Sequence, residues 1–450
     1  MEKYFLYLRK SICKFYLQNI NQSILFFQTG FETFLQVFYH EILFVKLEAE
    51  RRENMESIRN YKMESLWQRY QNSYLSYFLM YNFYYLSWAL FSALISVYLM
   101  GMGFKASEVS LVVSASFLTS LITQPIIGKW NDQYNLKKVN TALFVIAIVG
   151  GLVFMLSCHL IMIMISYSVV LMSINGVNPI MEKIATASPY QYGKIRIWGT
   201  IGYALGSQLA GLLYERISPQ AIFIVFVFTM FLCILGLLGT QPQMQKQSQN
   251  VEKVKTRDIL KNKKFLYYLL ICGLFYGVTY MSNTFIPSML TDKGLDVGIT
   301  STVLSIAVFC EAPLVLLSSH FMDRLSNKTL LMIATTMVCV QCGVYGLDMP
   351  MWMTVIVTFL VKHPAGMLFI MINLKVVNTL IDEKHQITAL AIVATLKNLV
   401  SIIFQNAAGY ILDMSSYSYL YMICLICMVI SLLLVISFKI DRGNEKRLFS

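Results

Sequence analysis

Apolar residues run along this chain in blocks of about twenty, separated by short polar breaks. The blocks are 78–100, 109–128, 140–157, 160–181, 197–214 and 221–238, then 265–290, 300–318, 330–346, 352–374, 388–411 and 420–438. Crossing a bilayer core takes about 20 apolar residues in a helix. No water is present there to bond loose N–H and C=O groups, so each block is predicted to be helical. The expected fold class is an all-α membrane protein with about twelve transmembrane helices. The longest polar break, Gln241–Lys264, is rich in Gln and Lys and reads as a linker between two six-helix halves, 76–240 and 265–440, with 441–450 as a tail.

The first 75 residues fit this pattern poorly. Ile24–Phe44 is aromatic-rich but broken by Gln28, Glu32, Gln36, His40 and Glu41, and it lacks the layout of a signal peptide. Two readings stand: an amphipathic helix on the membrane surface, or a functional chain that begins at Met55 or Met63.

Composition agrees with the pattern, since 57% of residues are hydrophobic and 13% charged, against roughly a quarter charged in soluble domains. The net charge of +12 does not call for nucleic acid, because the basic residues cluster in alternate loops: Lys129, Lys137 and Lys138; Lys183, Lys194 and Arg196; 253–264; Arg324 and Lys328; 439–447. That is the positive-inside bias. It predicts both termini in the cytoplasm, and the expected location is the plasma membrane. The spacing C-x-x-C occurs twice, at Cys339/Cys342 and Cys424/Cys427. With no second ligand pair expected near either, they are read as packing residues and no metal or cofactor is called. Among the five histidines no H-E-x-x-H or comparable pairing occurs, and there is no Walker loop, which argues against an enzyme and against ATP drive.

The halves repeat each other. Gly128, Asp132, Lys137 and Lys138 follow the second block, and Asp323, Arg324 and Lys328 follow the eighth. Asp132 and Asp323 lie 191 residues apart, and the same offset pairs Gly103 with Gly294, Ser110 with Ser301 and Ser114 with Ser305. Two pseudo-symmetric halves are the expected trace of a transporter that rocks about a midplane site.

The loop after the second block resembles the signature of the major facilitator superfamily, with Gln133 in place of one basic residue and Asn135 in place of the second glycine. Asn is expected there because it tolerates a left-handed turn. The resemblance implies that the charges of the two loops, Asp132, Lys137, Lys138, Asp323 and Arg324, latch helix ends and stabilise one conformer. Pro179, Glu182 and Lys183, followed by Tyr192, Gly193, Lys194, Arg196, Trp198, Gly199, Gly202 and Tyr203, are similar to the lactose-permease branch. That branch comprises oligosaccharide:proton symporters with nucleoside and phenylpropionate carriers as relatives. It implies substrate binding by Glu182 and Arg196 with an aromatic at Tyr203; the other reading makes the two charges helix ends. Trp88 and Asn283 complete the candidate binding set.

Ionisable residues inside spans cost ~2.5–3.5 kcal/mol each on insertion scales and are functional suspects. Glu311 and the adjacent Lys362 and His363 stand about ten residues into their blocks, roughly 15 Å deep at 1.5 Å per residue, and Lys397 is about as deep from the other side. The resemblance places Lys362 at the coupling-histidine position, His363 at a histidine of the nucleoside and phenylpropionate relatives, and Lys397 at the span-eleven lysine. It also shows departures. Phe275 and Val278 replace the span-seven aspartates, and Ala365 replaces the span-ten proton-carrying glutamate. A carboxylate removed from water holds a proton more readily, and a nearby cation opposes this. Glu311 is therefore the expected proton carrier, tuned by Lys362, His363 or Lys397; the other reading is a static ion pair.

The expected function is proton-coupled symport of a small polar solute, a sugar or oligosaccharide first. A nucleoside or aromatic carboxylate is the alternative, and a transporter-fold receptor the rival from another class. The expected partners are that solute, a proton and the lipid bilayer, with the protein a monomer.

Overall fold

The computed structural model describes residues 66–241 and 259–439. The N-terminal extension before Leu66, the centre of the linker and the tail lie outside the described residues. Twelve long helices follow in order: α1 Tyr74–Gly101, α2 Ala106–Gln133, α3 Leu136–Leu156, α4 Leu160–Thr186, α5 Tyr192–Arg216, α6 Ala221–Gly239, α7 Lys263–Asp292, α8 Val297–Leu316, α9 Asn327–Gly346, α10 Met351–Leu380, α11 Gln386–Met414 and α12 Tyr417–Ser437. Among the described residues eleven of them are long and apolar enough to cross a membrane. The twelfth is α5, whose sequence carries Lys194, Arg196, Gln208, Glu215 and five glycines.

Local chemistry explains the ends. Gly103 and Gly294 follow α1 and α7 with φ of +86° and +100°, a left-handed conformation that costs a side chain roughly 1–2 kcal/mol. Their 191-residue spacing is thus a repeated turn requirement. Asn135 and Ser326, at the same spacing, are the N-caps of α3 and α9, each accepting from the backbone N–H three residues on. This corrects the expected left-handed Asn135, which is extended at φ −61° and ψ 115°. Asn suits the site for its capping oxygen. The helix of α1 also starts earlier than its apolar block, because Ser73 caps it.

In the first half α1 packs on α5 and α6, α2 on α4, and α3 on α4 and α6; in the second α7 packs on α11 and α12, α9 on α10 and α12, and α8 on α10. Small residues let α5 approach closely: a Cβ on Gly202 or Gly206 would overlap the backbone carbonyls of Asn82 or Leu86 in α1. Large apolar side chains such as Leu118, Val149, Ile161, Leu270, Trp352 and Leu433 stay exposed and form the lipid-facing belt. α8 breaks at Cys310, just before Glu311, and Pro313 accounts for the break, since it cannot donate to the Phe309 carbonyl.

An even number of spans puts the start of α1 and the end of α12 on one face, called here the terminal face. The halves meet chiefly through α2 with α11 and α5 with α8, and hydrogen bonds between them gather at the opposite, far face. There Glu215 Oε2 accepts from Gly298 N–H at 2.6 Å, Gln208 donates to Thr302 at 3.0 Å, Asn406 donates to Ser114 at 2.9 Å, and Asp413 accepts from the Ser107 N–H at 3.3 Å and from its hydroxyl.

Candidate functional site: a cavity between the halves

Below the sealed far face lies a cavity of about 240 Å³. The first half contributes Trp88, Phe117, Gln124, Asn175, Asn178 and Tyr203 to its wall, and the second half Tyr280, Asn283, Lys362, His363, Lys397 and Asn398. Helix polarity places Gln124 and Asn178 toward the terminal face, so the cavity reaches that way. Two ring contacts cross between the halves at its edge: Phe117 with Tyr280 at 5.9 Å and Tyr203 with His363 at 6.0 Å between centroids.

On the second half three of the expected ionisable residues form a chain. Lys362 Nζ lies 3.1 Å from His363 Nε2, and His363 Nδ1 lies 3.9 Å from Glu311 Oε2. If the ammonium donates to Nε2, a neutral imidazole carries its own proton on Nδ1, the nitrogen that faces the carboxylate. Glu311 is not itself in the cavity wall, whereas His363 is. Lys397 is apart from this chain, its Nζ 5.2 Å from the centre of the Tyr280 ring.

On the first half the structure brings Glu182 and Arg196 together, but at the end of an aromatic column and not in the cavity wall. Glu182 Oε1 accepts from Tyr81 at 2.7 Å and Tyr85 at 2.9 Å, and Oε2 from Tyr192 at 2.8 Å. Arg196 Nε is 3.9 Å from Oε1, and its guanidinium lies over the Tyr85 ring. From Tyr85 the rings continue to Trp88, then Tyr203, then His363, at 6.0, 6.4 and 6.0 Å. The column joins the two charged clusters through Trp88 and Tyr203. Sequence reasoning missed Tyr81, which stands one helical turn before Tyr85, and named Tyr192 only within the stretch similar to the lactose-permease branch.

The expected latch residues lie at the terminal face. Lys137 donates to the Leu238 carbonyl at the end of α6 at 2.9 Å, a favourable place for a cation near a helix C-terminus. Its 191-residue counterpart Lys328 does the same to Ile436 at the end of α12. Gly128 sits inside α2 with open space beside it. Asp132, Lys138 and Arg324 are exposed, while Asp323 is half-buried in the loop whose Met322 and Leu325 carbonyls bind the buried Lys375. The two C-x-x-C pairs, expected to lie apart, face each other: Cys342 of α9 is close to Cys339, Cys424 and Cys427. Among the described residues, though, no three His, Cys, Asp or Glu groups are placed to hold a metal ion.

The profile of the Major Facilitator Superfamily matches residues 77–379 and 274–449. The chain belongs to this superfamily. It is 24% identical over 381 residues to the maltose permease of Geobacillus stearothermophilus, covering 81% of this chain and 95% of that protein. It is 24% identical over 307 residues to the probable 3-phenylpropionic acid transporter of Escherichia coli (strain K12), covering 64% and 79%. A Bacillus subtilis (strain 168) protein described as the uncharacterized transporter YwbF is 26% identical over 235 residues, covering 52% of this chain and 58% of that protein. The crystal structure of the nucleoside transporter NupG shares the fold at a TM-score of 0.69 and 17% identity, covering 81% of this chain and 98% of that one. An integral membrane transporter with many apolar helices follows from these matches; they are to transporters and not to enzymes.

Proposed function

We propose that this protein is a secondary active transporter that moves a small polar solute, a sugar first, together with a proton through the central cavity. The observation that carries the reading is the wall of that cavity: both halves line it, and a carboxylate–imidazole–ammonium chain, Glu311–His363–Lys362, borders it midway along the spans. The maltose permease and the nucleoside transporter among its relatives support a solute with hydroxyl groups. At about 240 Å³ the cavity is below the ~300 Å³ of ordinary ligand pockets, which favours one ring over an oligosaccharide.

We read the terminal face as cytoplasmic from the excess of Lys and Arg in its loops, the state as inward-facing and the membrane as the plasma membrane. Trp88 and Tyr203 present ring faces to the solute and Asn283 an amide. Glu182 and Arg196 meet it from the cytoplasmic side when the tyrosine cradle opens. Glu311 takes a proton through His363, whose Nδ1 faces the carboxylate and whose ring lines the cavity.

Purified protein in vesicles tests this. Glu311→Gln is expected to abolish accumulation driven by a pH gradient while keeping exchange of internal for external solute. Full gradient-driven uptake by that variant sinks the proton assignment. No flux of any solute by the folded parent protein favours the receptor reading. A nucleoside or aromatic carboxylate remains the second reading on account of the aromatic column.

A further inference from the structure

Lys397 has no role in the Glu311 chain, and its surroundings call for a ligand. It lines the cavity from α11, and among the described residues no carboxylate lies within ion-pair distance of it. The ionisable groups in the cavity wall are Lys362, His363 and Lys397, with no Asp or Glu; the nearest carboxylate to this set is Glu311, on the far side of His363. The residue beside Lys397, Asn398, also faces the cavity. It is 6% exposed, yet its amide has no hydrogen-bond partner among the described residues. A cation and an amide without side-chain partners, adjacent in one cavity wall near mid-span, are the donors a bound anion would take.

We propose that Lys397 and Asn398 form an anion subsite, so that the solute is a monocarboxylate built on one hydroxylated or aromatic ring. The proposal deepens the transport reading and rests on it. The carboxylate accepts from Lys397 Nζ and Asn398 Nδ2, two donors that lack other partners. The Tyr280 ring, 5.2 Å from Nζ, steadies the ammonium at the cavity wall by a cation–π contact. The body of the solute then lies toward Trp88 and Tyr203 across the cavity. The anion also neutralises Lys397, which has no carboxylate of its own among the described residues.

Calorimetric binding to the purified full chain tests the subsite with two matched pairs: glucuronate against glucose, and 3-phenylpropionate against 3-phenylpropanol. The expected result is that the acid of one pair binds at least about tenfold more tightly than its neutral partner, the worth of one charge-assisted hydrogen bond. Which pair responds tells whether the body is a sugar or an aromatic ring. Lys397→Gln is expected to erase that gap, and Lys397→Arg, which keeps the charge, to preserve most of it. A neutral partner that binds as well as its acid overturns the anion subsite and leaves the transport reading standing. A gap that survives in Lys397→Gln overturns the assignment to this lysine. Absence of binding by all four probes, in protein that melts cooperatively, removes both.

Discussion

The two faces of this molecule use polar side chains in opposite ways. At the far face they reach across the halves. Glu215 at the end of α5 accepts from the second backbone N–H of α8, and Asp413 at the end of α11 accepts from the second N–H of α2. Gly211 lies against Ser301 and Gly409 against Ser110, each with no room for a Cβ. Glu215 and Asp413, like Gly211 and Gly409, stand 198 residues apart, while Ser107 and Gly298, like Ser110 and Ser301, stand 191 apart. The far seal is therefore one motif used twice about a pseudo-twofold axis. At the terminal face, among the described residues, these contacts fasten each half to itself instead: Lys137 to Leu238, Lys328 to Ile436, Lys375 to Met322 and Leu325, Asn262 to Leu380. The difference teaches how a transporter can be firm and mobile at once. Bonds within a half make it move as a body, and a seal of small residues and a few partly exposed hydrogen bonds can be undone without unfolding anything.

Three variants break or sharpen that contrast, read by alkylation of a cysteine placed at Asn283 with an impermeant reagent supplied to the far face. Gly211→Val together with Gly409→Val has the largest expected effect. Overpacking costs ~1–3 kcal/mol per site, so the seal loosens and labelling rises about tenfold or more for each site. Unchanged labelling would mean that the halves already yield there. Glu215→Gln with Asp413→Asn comes next. A carboxylate near a helix N-terminus is worth ~0.3–1 kcal/mol at each end, and labelling should rise a few-fold, less at high salt. A change as large as that of the glycine pair would show that charge and not fit holds the seal. Lys328→Met is expected to leave labelling where it is and to lower stability by about 1 kcal/mol, since its bond to Ile436 lies within one half. Increased labelling in that variant would contradict the division between the faces.

Much of this was legible in the chain because it depends on near neighbours. The apolar blocks are helices wherever they are placed in a bilayer. The 191-residue repeat marked turns whose need is local, such as the left-handed Gly103 and Gly294. The loop signature was visible, although Asn135 serves as a helix cap and not as a turn residue. Glu311 and His363 stood out because charges are expensive in a span, and they do lie together. Glu215 and Asp413 did not stand out. They sit at helix ends, where acids are common, and only the second spacing of 198 residues would have linked them.

The sequence by itself determined the helices, their order, the duplicated halves and which buried charges needed an explanation, because those follow from backbone hydrogen bonding in hydrocarbon and from local turn chemistry. Only the tertiary structure decided the partners. It put Glu182 among three tyrosines, joined His363 to Tyr203 across the halves, set Lys397 over Tyr280 away from Glu311, and brought the ends of α5 and α11 onto the starts of α8 and α2. Such pairings depend on the rotation and tilt of each helix. Those are set by many small packing contacts spread over the whole bundle, and no stretch of sequence holds them.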